Sequence, residues 1–190
     1  NFTTDFTSIT GNEWDAFFGN SAAGNPNGMV NRLGYPSSEH ITQHSQWAQK
    51  VDELLQSDAQ IYIELEPEYN ASSNSITIET TTEILESISA SLSLNVILIE
   101  SHIITYQTDY DAEPQEIADY EHNHVMRKSL TGSWGLDLGK SGYNNGDIIS
   151  NSFSLTPDEE WVVENMSVVA FVSNTNSYEV IQAEETYIIE

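Results

Sequence analysis

The stretch Leu92-Ser93-Leu94-Asn95-Val96-Ile97-Leu98-Ile99 is nearly apolar throughout. A short apolar run of this kind is typical of a central strand that is covered on both faces. The segment Met166–Val172 has the same character. Val168 and Ala170 lie on one face of the predicted strand, and Val169 and Phe171 make the other face apolar as well. The sequence therefore predicts two well-buried strands.

Outward from these strands, the hydrophobic pattern of residues 58–190 has a period of two. Ile61, Ile63 and Leu65 share one face of the segment Ala59–Glu66. This period is typical of strands, and turn-forming residues separate the segments that show it. About eight such strands predict a mainly β fold, an antiparallel immunoglobulin-like sandwich. The predicted core residues are Ile61, Ile63, Val96, Leu98, Val168 and Ala170, with Trp134 and Trp161 as anchors.

Residues 1–57 show helical periodicity and turns instead. Trp14, Phe17 and Phe18 fall on one side of a short helix, and a short strand is predicted at Met29-Val30. A second helix, predicted to begin at Ser38, carries an apolar stripe whose spacing predicts that it is buried. The stripe consists of Trp47, Val51, Leu54 and Leu55. The chain thus divides into a small α/β segment, residues 1–57, and a β-sandwich domain, residues 58–190.

The net charge of the chain is −25, from 30 acidic and five basic residues. Of these, 24 acidic and three basic residues lie in residues 58–190. Such a surface repels nucleic-acid phosphates and anionic lipid head groups, so nucleic acid is excluded as a partner. The charge fits colloidal solubility, and it also fits binding of Ca²⁺, which prefers clustered carboxylate oxygens.

The sequence has no cysteine, so disulfides, zinc–thiolate sites and thiol redox chemistry are excluded for these 190 residues. No run of about 18 apolar residues is present, and no transmembrane segment is therefore predicted. The first residue is Asn1 rather than Met, and no basic region followed by an apolar region appears near it. We therefore expect a processed or trimmed N-terminus.

The densest acidic segment is Asp109–Glu121, and it begins with Asp109, Asp111 and Glu113. These three residues are the candidate calcium ligands, since carboxylates at alternate positions resemble the start of a calcium-binding loop. The segment lacks the glycine and the final glutamate that an EF-hand requires. A solvated acidic loop is the alternative interpretation.

His122 and His124 are two residues apart on a predicted strand, which would direct both imidazoles to one face. A third ligand would be needed to hold a transition metal, and Asp119 or Glu121 could supply it. The alternative is a structural role in which the imidazoles form hydrogen bonds. No G-x-S-x-G or H-E-x-x-H motif is present, so no catalytic residues are predicted.

Residues 122–127 read His-Asn-His-Val-Met-Arg and precede Leu130, Gly132, Trp134 and Gly135. This motif resembles one in a family of outer-membrane lipoproteins from Bacteroidota, named for a founding member of about 28 kDa. Trp161 and the segments 164–172 and 179–183 are similar to the end of that family's domain, and Gly28–Arg32 resembles the segment before its sandwich.

The resemblance implies a thioredoxin-like domain before the sandwich, of which residues 1–57 would be the second half. The segment around Pro26 would then match the position where thioredoxins place a cis-proline. The first half of such a domain is not present, so we expect the chain to be part of a longer protein. The resemblance also implies a location at the cell surface or outer membrane, and it transfers no catalytic residues.

Three functions are compatible with these observations. The first is a non-catalytic, surface-exposed binding or scaffolding module whose partners are other envelope or cell-surface proteins. The second is a calcium-stabilised adhesin or carbohydrate-binding sandwich, for which Tyr106, Tyr110 and Tyr120 are candidate glycan-stacking residues. The third is an enzyme or redox protein whose active residues lie in a missing N-terminal portion.

Overall fold

The computed structural model describes residues 4–24 and 26–189. Short 3₁₀ turns occur at Ser21–Ala23, Ser38–His40 and Val163–Asn165. The helices and strands are, in chain order, α1 (Ile9–Phe18), β1 (Asn27–Gly28), β2 (Thr42–Gln43), α2 (His44–Leu54), β3 (Ile61–Asn70), β4 (Ser75–Ile84), β5 (Ile88–Glu100), β6 (Ile103–Thr108), β7 (Glu116–His122), β8 (Val125–Ser129), β9 (Leu136–Tyr143), β10 (Ile148–Leu155), β11 (Met166–Asn174) and β12 (Val180–Tyr187).

Two antiparallel sheets form a sandwich. One has the order β10-β4-β3, and the other has the order β12-β11-β5. The long strand β5 has two partners on its other side, because β9 pairs with its first half and β8 with its second half. The strands β6 and β7 form a separate hairpin. The predicted mainly β antiparallel sandwich is confirmed.

The core lies between the two sheets. Apolar side chains of β3 and β4 face those of β5 and β11, and the six predicted core residues are all buried. The prediction succeeded here because alternation along a strand assigns each side chain to a definite face. These buried residues are Ile61, Ile63, Val96, Leu98, Val168 and Ala170.

The opposite face of β5 and β11 is also buried, and the N-terminal segment covers part of it. Trp14 of α1 packs on Phe171 of β11, with their ring centroids 6.1 Å apart. Its indole Nε1 donates a hydrogen bond of 2.6 Å to the carbonyl oxygen of Ser133. Residues 4–24 and 26–57 therefore pack beside the sandwich. Their division from it as a separate domain at residues 57 and 58 stays a prediction.

Arg32 lies within this covering layer and is only 8% exposed. Its guanidinium carbon lies between 4.9 and 5.1 Å from the ring centroids of Trp14, Phe18 and Phe171. Burial lowers the pKa of Arg32 to about 10, so the side chain is still cationic at neutral pH. Cation–π contacts with these three rings therefore stabilise the buried guanidinium.

Trp134 does not anchor the core, contrary to the prediction, because 42% of its surface is exposed. It belongs to an aromatic cluster on the covering layer and packs edge-on against Phe17 and Tyr178, with centroids 4.7 and 5.6 Å away. Trp161 is half-buried and does pack against the core between the sheets.

The N-terminal segment differs from its predicted course in two places. The short strand is Asn27–Gly28 rather than Met29-Val30, and α2 begins at His44 because Ser38–His40 is a 3₁₀ turn. The Asn25–Pro26 peptide bond involves residue 25, which lies outside the described residues. Cis peptide bonds occur at Tyr35–Pro36 and Glu113–Pro114. The thioredoxin-like assignment stays a prediction.

Glu100, at the end of β5, is a buried carboxylate that joins the two motifs on which the family resemblance rests. Arg127 Nε donates to Glu100 Oε2 at 2.7 Å. The backbone N–H of Val162, next to Trp161, donates to Glu100 Oε1 at 3.2 Å. A buried carboxylate without such partners is strongly unfavourable, so this arrangement fixes β8 and the segment before β11 to β5.

We expect Arg127→Met to lower the melting temperature by about 10 °C, since it leaves the buried Glu100 carboxylate without its cation at a cost of about 3 kcal/mol. The double variant Arg127→Met plus Glu100→Gln should recover at least half of that loss. Lys128→Met is the matched control, because it removes an exposed charge from the same strand. Equal melting temperatures for Arg127→Met and Lys128→Met would contradict a stabilising ion pair.

Gly135 has a left-handed backbone with φ of 81° and lies directly over β5. A Cβ atom there would be 2.8 Å from Asn95 Nδ2 and 2.9 Å from the carbonyl oxygen of Leu94. Gly139 has φ of 80° but open space around it. We expect Gly135→Ala to cost about 1–3 kcal/mol more than Gly139→Ala in chemical denaturation, because only the first adds a steric clash to the backbone penalty. Equal costs would show that the Gly135 contact is not tight.

Candidate functional site

A groove of about 590 Å³ runs between α2 and the edge of the five-stranded sheet. Val51, Leu54 and Leu55, at the C-terminal end of α2, form one wall. These residues belong to the stripe that was predicted to be buried. The exposed fraction is 43% for Val51 and 77% for Leu55, and no residue of α2, all of which is described, is buried. The prediction of a buried stripe is therefore wrong.

The apolar side chains of β5 and β12 form the opposite wall of the groove. Ile88 and Ala90 come from β5, and Val180 and Ile181 come from β12. Gln182 Nε2 donates a hydrogen bond of 3.1 Å to the carbonyl oxygen of Ile61, which connects β12 to the start of β3. The wall is thus part of the sandwich.

Two sets of contacts position the segment that contains α2 beside the sandwich. Asn31 accepts a hydrogen bond from the Val180 N–H at 2.9 Å and donates its Nδ2 to the Val180 carbonyl oxygen at 3.0 Å. At the other end, the indole of Trp47 covers Gly28, where a Cβ atom would come within 2.9 Å of the ring. Trp47 Nε1 also donates to the carbonyl oxygen of Thr42. Trp47, the first residue of the stripe, therefore packs within the N-terminal segment, whereas Val51, Leu54 and Leu55 face the groove.

The titratable side chains that line the groove are Asp58 and Glu179, and both are exposed. Further acidic residues lie on the outer surfaces of the same elements, namely Asp52, Glu53 and Glu184. The groove therefore combines an apolar floor with an acidic rim.

The three candidate calcium ligands all lie in the exposed turn between β6 and β7. Asp109 Oδ1 accepts the backbone N–H of Asp111 at 2.9 Å, and no hydrogen bond joins either residue to the side chain of Glu113 in the described part of the chain. Within residues 4–24 and 26–189, no group of three or more His, Asp or Glu side chains is placed to hold a metal ion. The structure thus does not bring these carboxylates together, and calcium binding stays a prediction.

The two histidines do not face the same side, because β7 ends at His122 and His124 has a left-handed backbone with φ of 56°. His122 packs between the rings of Phe6 and Tyr120 and lines a small pocket of about 280 Å³. His124 Nε2 lies 3.7 Å from Glu185 Oε1. The expectation of a shared face is therefore wrong, since the strand does not continue past His122.

The three candidate glycan-stacking tyrosines are exposed but separate. Tyr106 and Tyr120 lie on β6 and β7, and Tyr110 lies in the turn between them. Tyr106 donates its hydroxyl to Glu116 Oε2 at 3.1 Å, which raises the pKa of Tyr106. No pair among these three rings is in contact in the described residues. The aromatic cluster of Phe17, Trp134 and Tyr178 could not be predicted from sequence, because its members lie far apart in the chain.

We expect calcium chloride to raise the melting temperature no more than sodium chloride of equal ionic strength, since the carboxylates of Asp109, Asp111 and Glu113 do not converge. Both salts should raise it, because screening weakens repulsion within a chain of net charge −25. Thermal melts in the two salts test this expectation. A calcium-specific rise that Asp109→Asn plus Asp111→Asn abolishes would instead establish the predicted site.

Residues 13–190 match the family model described as outer membrane protein Omp28. The chain is similar to the crystal structure of a domain of the outer membrane lipoprotein Omp28 from Porphyromonas gingivalis, with 24% identity and a TM-score of 0.45, covering 70% of this chain and 91% of that one. It also matches 14% of a β-glucosidase from Kluyveromyces marxianus, over 70% of this chain, with 6% identity and a TM-score of 0.26.

No curated protein matches the chain. In the described residues, no helix is both long enough and apolar enough to cross a membrane. The family model spans nearly the whole chain, including the His122–Arg127 motif and the segment after Trp161 that suggested the family from sequence. The predicted family and location are thus confirmed: the chain belongs to the outer membrane protein Omp28 family and is an extracytoplasmic protein of the outer membrane.

Proposed function

We propose that this protein is a non-catalytic binding module of the outer-membrane envelope, and that the groove beside α2 holds an apolar segment of another envelope protein. The observation that carries the proposal is the uncovered apolar wall formed by Val51, Leu54 and Leu55. Contiguous exposed apolar surface with a polar rim is characteristic of a protein interaction site.

The shape of the groove favours an elongated segment over a small molecule. A small-molecule pocket encloses most of its ligand, whereas Leu55 at the rim of this groove is 77% exposed. An amphipathic helix or an extended segment laid along α2 would cover Val51 and Leu55 and reach Ile181 on the other wall. This is the helix-in-groove mode of recognition, in which a few apolar side chains act as anchors.

The acidic rim favours a partner with basic residues beside its apolar anchors. Asp58 and Glu179 line the groove, and Glu53 lies on the outer surface of α2. Complementary charge of this kind contributes to specificity and to the rate of association, and it excludes acidic partners. The same carboxylates are solvated in the free protein, which supports a role in recognition rather than in catalysis.

The double variant Val51→Ser plus Leu55→Ser should weaken partner binding by at least about tenfold, because truncating anchor residues of an interface costs more than about 1 kcal/mol each. Its melting temperature should stay within about 2 °C of the parent, since both side chains are exposed. Ile9→Ser is the matched control, as Ile9 is 80% exposed and lies on α1, away from the groove.

The partner is identified by placing a photo-cross-linking residue at position 55 and, separately, at position 9, in native envelopes. We expect a discrete adduct from position 55 that is lost when Val51→Ser is added, and none from position 9. The purified partner is then used for the affinity measurements. A large fall in melting temperature for the double variant, or equal adducts from both positions, would refute the proposal.

A further inference from the structure

The strand β10 forms one edge of the three-stranded sheet and is an open edge. It pairs with β4 over eight consecutive residues without a register shift. Its other side faces no strand, and within the described residues its outward main-chain groups make no backbone hydrogen bond. A straight row of free N–H and C=O groups is a template on which another strand can pair.

The sequence of β10 lacks every feature that usually blocks an edge. It reads Ile-Ile-Ser-Asn-Ser-Phe-Ser-Leu, with no charge, no proline and no glycine. Natural edges are blocked by charges, proline, bulges or short length. The other edges of the sandwich have such features: Pro67 and three glutamates in β3, Arg127 and Lys128 in the short β8, two register shifts in β9, and Glu184, Glu185 and a register shift in β12.

We propose that β10 accepts an extended segment of another polypeptide as a fourth strand, and that this segment alternates basic and apolar residues. This surface is separate from the groove beside α2, which no residue of β10 lines. The proposal therefore does not depend on the proposed function, and each can fail alone.

The basic residues of the added segment are inferred from the glutamates on the outer face of the three-stranded sheet. In that face Glu79 lies opposite Ser152, and Glu83 lies opposite Ile148. Behind them β3 contributes Glu64, Glu66 and Glu68, and the three strands contain no Lys, Arg or His. Glu66 and Glu79 are directly paired, a like-charge arrangement that costs stability unless a cation approaches.

A side chain on an added strand can reach these carboxylates. Strands lie about 4.8 Å apart, so Glu79 would be about 10 Å from the backbone of the new strand. Only the short side chains of Ser150, Ser152 and Ser154 stand between them. Ser152 Oγ donates to Glu79 Oε1 at 2.6 Å, so this carboxylate already leans toward the edge. The long flexible stem of Lys or Arg can span the remaining distance.

The apolar residues of the added segment are inferred from the side chains on the inner face of β10. Ile149, Phe153 and Leu155 alternate with the exposed serines and are half-buried at the edge of the core, and Asn151 is the one polar residue among them. An added strand would place every second residue beside them, where an apolar side chain would extend the core. Because side chains alternate along a strand, one face of the added segment is basic and the other is apolar.

The probe is a nine-residue, end-capped peptide that alternates Lys with Val or Thr, labelled for fluorescence anisotropy at about 0.15 M salt. Its control has the same composition with all lysines in one block. We expect the alternating peptide to bind at least about tenfold more tightly, because only it can pair in register and direct its lysines to one face. Equal affinities would overturn the proposal in favour of attraction to the acidic surface alone.

Two double variants of the protein test whether the peptide binds at β10. Ser150→Lys plus Ser152→Lys should weaken the alternating peptide at least about tenfold, since both lysines oppose its cationic face. Ala71→Lys plus Ser72→Lys is the matched control, because it changes the net charge equally in the exposed turn between β3 and β4. We expect less than about a threefold effect from the control. Equal losses for the two variants would refute binding at β10.

Hydrogen exchange measured residue by residue distinguishes a peptide from a second copy of the chain as the occupant. We expect some amides of Ile148–Leu155 to exchange slowly only when the alternating peptide is present, with the protein monomeric in sedimentation. Protection of these amides in a peptide-free dimer would show that a second copy occupies the edge, and it would overturn the proposed partner.

Discussion

The antiparallel ladder between β5 and β11 imposes the constraint on which the rest of the structure depends, because these strands are buried on both faces. The three-stranded sheet covers one face, and a second layer has to cover the other. The N-terminal segment supplies part of that layer through the contacts of Phe171 with Trp14 and Arg32. The groove lies beside this layer, between the C-terminal end of α2 and the strands β5 and β12, and Asn31 is hydrogen-bonded to Val180 at its margin.

Three of the five Lys and Arg residues of this acidic chain contact aromatic rings or carboxylates of the chain itself. Arg32 is enclosed by aromatic rings, Arg127 neutralises the buried Glu100, and Lys140 pairs with Asp147. A backbone hydrogen bond from Asn144 and then the Lys140 ammonium lower the pKa of Asp147. The outer faces of β3 and β4, both fully described, carry five glutamates, and neither strand contains a basic residue. Such surfaces repel acidic macromolecules and attract cationic ones at distances set by the ionic strength.

The strands and their core could be predicted from sequence because alternation is a local property that decides the face of each residue. The helix α2 shows the limit of this reasoning. The spacing of Val51, Leu54 and Leu55 does indicate an amphipathic helix, but it cannot say whether the apolar stripe meets its own chain or a partner. The second wall of the groove, with Ile88 and Ile181, comes from strands far away in sequence, so no local pattern contains it. His124 was misplaced because one left-handed residue ends the alternation.

The groove and the β10 edge share a physical feature, since each leaves exposed a group that folded proteins usually bury or pair. At α2 an apolar stripe lacks a core, and at β10 a row of main-chain groups lacks a partner. Binding at either place would satisfy these unpaired groups and requires no reactive side chain, which agrees with the proposed non-catalytic role. Main-chain pairing and apolar contact both tolerate many sequences. The acidic residues beside each surface therefore make the selection, because they set the charge that an acceptable partner must carry.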